Sequence, residues 1–264
     1  MAGSETFQLR TDPADFTVLT SAVFTIAREM GKNMERTARA PVYFSAHDFV
    51  TTIVSKDYEL VALAEYIPVL TGATPFSVRA VDQYFKGDIH EGDVFLVNDP
   101  YTMDAGNQMA DWGIVYPVFC KGEHVLWVAN KAHQQDTGGG VPGGYNPGAL
   151  DVYAEGLRIP PIRLFEGGKE RKDVFNLIMT NVRIPGAQRG DLMSMIGAAR
   201  VGERRLKAIY DLYGADTMTI FIEDLLNYGE FIMREEIAAL PDGTYRSEIL
   251  GGEGSVPIIC DLTI

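Results

Sequence analysis

From Asp12-Pro13 onward the apolar positions Phe16, Leu19, Val23, Ile26, Met30 and Met34 recur at spacings of three and four. This spacing predicts an amphipathic helix to about Ala38, with Asp12 as its N-cap and Pro13 in its first turn. The pattern then changes period. Residues 49–54 and 58–64 are β-prone runs separated by Ser-Lys-Asp, which predicts a hairpin. A second helix is expected over residues 75–85. Three further strands are expected over 93–97, 113–119 and 124–129, with Lys121-Gly122 turning the last pair.

Residues 137–172 are rich in Gly and Pro. Within them Leu157-Arg-Ile-Pro-Pro-Ile-Arg-Leu164 carries prolines that forbid a central strand and favour an extended crossing. Helical spacing returns with Leu192, Met195, Ile196, Ala199, Leu206, Ile209 and Tyr213, and again with Ile222, Leu225, Leu226, Ile232 and Ile237. Gly214 marks the break, so a helical hairpin packed on the sheet is expected. Pro241-Asp-Gly-Thr244 reads as a turn, and residues 245–250 and 256–264 alternate like strands. The fold class is α+β: a central β-sheet with long flanking helices and a helical hairpin. Residues 1–240 are expected to form that domain. Residues 241–264 are expected to start a β-rich one, completed by further residues or by another chain.

Lys plus Arg number 23 against 36 Asp plus Glu, a formal charge of −13, which argues against nucleic-acid backbones and anionic membranes as partners. Cys120 and Cys260 lie far apart and give neither a disulfide framework nor a thiolate zinc site. No apolar run approaches the roughly 20 residues that span a bilayer, and no leader pattern opens the chain, so a cytoplasmic location is expected.

The chemistry concentrates in Asn130-Lys-Ala-His-Gln-Gln-Asp136, followed at once by a glycine-rich run that includes Gly139, Gly140, Gly143 and Gly144. The preceding strand delivers an imidazole and a carboxylate three residues apart to a loop where glycine permits close approach to a ligand. Asn98-Asp-Pro-Tyr101 ends another strand and is followed by Asp104 and Asp111. A histidine with two or three carboxylates suits Zn²⁺, Mn²⁺ or Fe²⁺. The plainer alternative keeps Asp99 and Asp136 as turn caps and His133 as a partner of the backbone; spacing leaves both open. The glycine run lacks the Gly-x-x-x-x-Gly-Lys-Ser/Thr pattern, so ATP binding by this chain is not expected. Arg200, Arg204 and Arg205 form either a clamp for a carboxylate or bicarbonate or a solvated face. His47 and His90 read as surface residues, and no Gly-x-Ser-x-Gly supports covalent catalysis.

Taken in order, several segments resemble the hydantoinase B/oxoprolinase family: Glu65-Tyr-Ile-Pro-Val69, Gly92-Asp-Val-Phe-Leu-Val-Asn-Asp-Pro-Tyr101, Ala129-Asn-Lys-Ala-His-Gln-Gln-Asp136, Glu155-Gly-Leu-Arg-Ile-Pro-Pro161 and Asn181-Val-Arg183. The resemblance runs from about residue 12 to the last residue and covers the N-terminal half of the family's usual length. It implies a subunit of a heteromeric, ATP-dependent ketone carboxylase of the acetone or acetophenone type. Its partners would be a HyuA-like ATPase subunit, which binds the ATP, and other carboxylase subunits, with a ketone and bicarbonate as substrates. The alternatives it implies are a cyclic-amide hydrolase of the N-methylhydantoinase or 5-oxoprolinase type and a structural subunit with a degenerate metal site. Carried over residue by residue, a divalent metal falls on Asp111, His133 and Asp136, with His133 and Asp136 catalytic and Asp104 or Asn107 available to fill a gap; Asp99, Gly139, Gly140, Gly143 and Gly144 are expected to shape the substrate loop. This chain has Gln108, Gln134, Tyr66 and Leu70 where the family often has histidines. The 137–165 loop is the expected contact with the ATPase subunit.

Overall fold

The computed structural model describes residues 7–249 and 257–264. Asp12 caps α1 (Pro13–Thr37) by accepting from the amides of Ala14 and Asp15, and the apolar spacing read from the sequence is the face the helix buries. A single turn, α2 (Pro41–Phe44), leads to the hairpin of β1 (Phe49–Val54) and β2 (Leu60–Leu63), and then to α3 (Pro68–Tyr84). β3 (Val94–Val97), β4 (Asp111–Cys120) and β5 (Glu123–His133) follow, the last two joined by Lys121 and Gly122, both at positive φ. After the glycine-rich segment come β6 (Ile162–Glu166), β7 (Lys169–Glu170), α4 (Lys172–Thr180), α5 (Pro185–Tyr213) and α6 (Ala215–Ala238). The seven strands form one antiparallel sheet in the order β2-β1-β5-β4-β3-β6-β7.

Both faces of the sheet are covered. Phe49, Ile53, Trp112, Ile114, Tyr116, Leu126 and Val128 bury against α1 and α5, while Phe95, Val97, Val115, Trp127 and Ala129 bury against Val78, Ala80 and Val81 of α3. Full burial of side chains this large contributes about 1.5–3 kcal/mol each, so β4 and β5, next to each other in the sheet and covered on both sides, give the site a firm base. Close approach of α5 depends on Gly202, where a Cβ would lie 2.5 Å from Met30 Sδ and 3.0 Å from Val128 Cγ1. The buried carboxylate of Asp224 on α6 accepts from the amides of Arg10 and Thr11 and from the Thr11 hydroxyl, which ties the start of the described chain to that helix. No described helix is long and apolar enough to cross a membrane.

Four elements differ from the expectation. α3 begins at Pro68 and carries Pro75 inside it; the Thr71 carbonyl that the missing amide would have bonded is taken by the Thr74 hydroxyl at 2.9 Å. β5 continues four residues past Ala129 to His133. Pro160 and Pro161 stop just short of a strand, because β6 starts at Ile162 and pairs with β3. α4, with Phe175 and Ile178 buried, was not expected. The helical pair meets at Gly214 as read, with α5 lying against β4 and β5. Thr244–Ile249 and Ile258–Thr263, β8 and β9, form a separate, exposed antiparallel pair. The expected strand ends at 250 and 256, and residues 1–6, lie outside the described residues.

Candidate functional site

The register of β4 and β5 sets Asp111 directly opposite His133, and Gly113 opposite Lys131. With Val115 and Ala129 these alternate positions face α3. His133 Nδ1 lies 3.2 Å from Asp111 Oδ1, and the other oxygen, Oδ2, accepts from Asn107 Nδ2 at 2.6 Å. Asp111 is fully buried, and the Asn107 Oδ1 beside it has no hydrogen-bond partner. The His133 amide donates to the Asp48 carbonyl at 3.0 Å, fixing the end of the strand to the start of β1.

The far edge of the imidazole meets the glycine loop. A Cβ on Gly144 would sit 3.5 Å from His133 Nε2 and 2.4 Å from the Gln134 carbonyl oxygen. Gly144 also has φ +69°, so only glycine lets this loop close over the ring. The hydrogen bond to Asp111 raises the His133 pKa above its ordinary value, partly offset by burial. Burial likewise raises the Asp48 carboxyl, helped by the nearby Asp111 charge, and pushes the fully buried Lys131 amine down to about 8.

Asp136 does not join this pair. β5 ends at His133, and Gln134 turns to the opposite face of the sheet, where its amide donates to the Tyr43 hydroxyl and its oxygen accepts from Gln188. The next turn carries Asp136 to residues 183–184 instead. There it accepts from the amides of Gly138 and Ile184, each at 3.0 Å, from the Arg183 amide, and from the Arg183 guanidinium at 3.3 Å. An open cleft of about 330 Å³ lies beside it, lined by Gln135, Asp136, Pro142, Gly143, Arg183 and Ile184.

The trio Asp111, His133 and Asp136 is therefore not assembled as a cation site. Both Asp111 oxygens face nitrogen groups, Asp136 is filled by N–H donors, and among the described residues no three His, Cys, Asp or Glu side chains are placed to hold a metal. Asn107 does reach Asp111. Asp104 does not; it is exposed and faces Arg79 at 3.9 Å. Asp99 caps a turn by accepting from the Tyr101 amide and the Thr102 hydroxyl and pairs with Arg158 at 2.8 Å. Gly139 and Gly140 lie against residues 154–155, away from the ring. Arg200 stacks on Phe165 and Arg205 pairs with Glu29, both on the other side of the sheet from the Asp111–His133 pair. His47 pairs with Glu35 and His90 with Asp88.

Two participants escaped the sequence reading. Lys131 lies past the strand expected over 124–129, although it stands two residues before His133 and so shares its face. Asp48, just before β1, carries no local signal at all.

The hydantoinase B/oxoprolinase family matches residues 12–264. The beta subunit of caprolactamase from Pseudomonas jessenii is 40% identical over 234 residues, covering 89% of this chain and 40% of that one. The acetophenone carboxylase delta subunit of Aromatoleum aromaticum is 28% identical over 195 residues, covering 72% of this chain and 28% of that one. The crystal structure of the ATP-dependent caprolactamase from Pseudomonas jessenii superposes with a TM-score of 0.85 at 39% identity, over 91% of this chain and 41% of the other. The chain spans about two fifths of the length of the first of these relatives.

Proposed function

Since the chain belongs to the hydantoinase B/oxoprolinase family, we propose that it supplies the acid–base site of an ATP-dependent complex that opens a cyclic amide. The observation that carries this reading is the Asp111–His133 pair, set where paired strands β4 and β5 meet the glycine loop. Asp111 receives the Nδ1–H of the imidazole and fixes its tautomer, which leaves Nε2 to act as a base. Nε2 takes a proton from water as the water oxygen bonds to the amide carbonyl carbon. As the C–N bond breaks, the same nitrogen returns the proton to the leaving nitrogen. ATP would be bound by a partner ATPase subunit that activates the amide. The 137–165 loop, with Tyr145, Leu150 and Tyr153 exposed, is the surface offered to that partner.

Identity of 40% to a caprolactamase subunit supports the hydrolase over the ketone carboxylase expected from the sequence. The 28% identical acetophenone carboxylase subunit supports the second reading, in which the same base would remove a proton next to a ketone. One assay separates them. The full-length chain with its partner receives ATP and either ε-caprolactam or acetophenone with bicarbonate. ATP-dependent release of 6-aminohexanoate supports the hydrolase, and ATP-dependent carboxylation of the ketone supplants it.

The raised pKa of His133 fixes the sign of two pH effects. A base must be unprotonated, so the acid limb of kcat/KM falls above the ordinary histidine value of about 6.5, and Asp111→Asn moves it to lower pH. The Asp111–His133 contribution to stability is complete below that ordinary value and is lost as pH rises through the folded-state value. A pH–rate profile of wild type and variant checks the first effect, and thermal melts across the same range check the second.

A further inference from the structure

We propose that Lys131 is a positioning residue for this pair: from beneath it, the ammonium holds the Ala105 carbonyl and with it the 98–110 loop that delivers Asn107 to Asp111. The inference deepens the acid–base reading above and rests on it. Lys131 is fully buried at the centre of the sheet, and among the described residues its ammonium makes one hydrogen bond, to the Ala105 oxygen at 3.4 Å. That oxygen also accepts from the Ser77 hydroxyl of α3, so strand and helix grip the loop at the same atom. Two residues further along the loop, Asn107 donates to Asp111. Gly113, opposite Lys131, leaves room for this junction: a Cβ there would lie 3.5 Å from Lys131 Cε and 3.7 Å from Ser77 Oγ.

Energetics argue that the lysine is kept for placement. A buried amine with one long hydrogen bond is worse for stability than an apolar side chain of similar length. Sites where a chain breaks its own packing rules tend to be functional. Asp111 lies on the same face of the sheet two register positions away, and its charge favours the ammonium, which in turn favours the buried carboxylate.

The test compares wild type, Lys131→Met and His133→Ala, each in the full-length chain assembled with its partner. The readouts are ATP-dependent turnover of ε-caprolactam, thermal melting, and hydrogen exchange of the amides of residues 104–108. Lys131→Met is expected to melt at the same or a higher temperature, lose about 10- to 100-fold in kcat with little change in KM, and exchange faster at 104–108. Wild-type turnover in Lys131→Met beside an inactive His133→Ala would overturn the proposal and leave the acid–base pair standing. Melting and turnover falling together would also overturn it, since the lysine would then be structural. Normal turnover in His133→Ala would remove the acid–base reading. The exchange rates alone would then decide whether Lys131 holds the loop, and unchanged rates would overturn that too.

Discussion

Replacing His133 with Ala in the full-length complex is expected to lower turnover about a thousandfold, within the range that a positioned acid–base group contributes, and to leave the melting temperature within a few degrees of wild type. The reason lies in what the side chain touches. Its ring bonds Asp111 through Nδ1, lies beside Gly144 at Nε2 and fills no part of the two apolar clusters. Asp111 keeps its Asn107 hydrogen bond and the nearby Lys131 charge when the imidazole is gone. Steady-state turnover beside a thermal melt checks the expectation, and a variant that retains most of its activity contradicts it.

Asp136→Ala is expected to do the reverse. Removing the carboxylate leaves the amides of Gly138, Arg183 and Ile184 without an acceptor where the carboxylate is almost fully buried. An orphaned buried donor costs about 1–3 kcal/mol. The open cleft beside Asp136 admits water to part of this surface, so the total is about 3 kcal/mol, roughly 6–12 °C in Tm for a chain of this size. Turnover per folded molecule should stay within about tenfold of wild type, because Asp136 touches neither His133 nor Asp111. A melt together with activity normalised to the folded fraction decides the matter. An unchanged Tm with lost activity would return Asp136 to the catalytic role implied by family resemblance.

The contrast between these two carboxylates shows what the sequence carried. Periodicity identified α1, the β1–β2 hairpin, the β4–β5 pair and the break at Gly214, because each of these elements buries a regular apolar face. His133 stood out at the end of a predicted strand, and the family resemblance joined Asp111 to it. Periodicity failed where polar residues are buried. Asn130 and Lys131 looked like the start of a loop, yet both lie inside β5: Asn130 donates to the Met195 carbonyl on one face, and Lys131 reaches Ala105 on the other. Ending the strand at Ala129 placed His133 and Asp136 together at a loop mouth. The true end, at His133, sends the next three residues across the sheet edge and separates them. Pro75 misled for a similar reason, since a hydroxyl one residue earlier takes the carbonyl that a proline should orphan. No local spacing encodes the approach of the 98–110 loop or of the Gly143–Gly144 turn to the ring, because both are tertiary contacts across long stretches of chain.

The most direct test of the central claim, that Asp111 and His133 act as one unit, is a double-mutant cycle on ATP-dependent lactam opening by the complex. Turnover is measured for wild type, Asp111→Asn, His133→Ala and the double variant. Acting as a unit, the pair gives a double variant no slower than His133→Ala alone, since Asp111 works only through the imidazole. Losses that multiply, with the double variant slower than His133→Ala by the full Asp111→Asn factor, would show two independent residues and contradict the account.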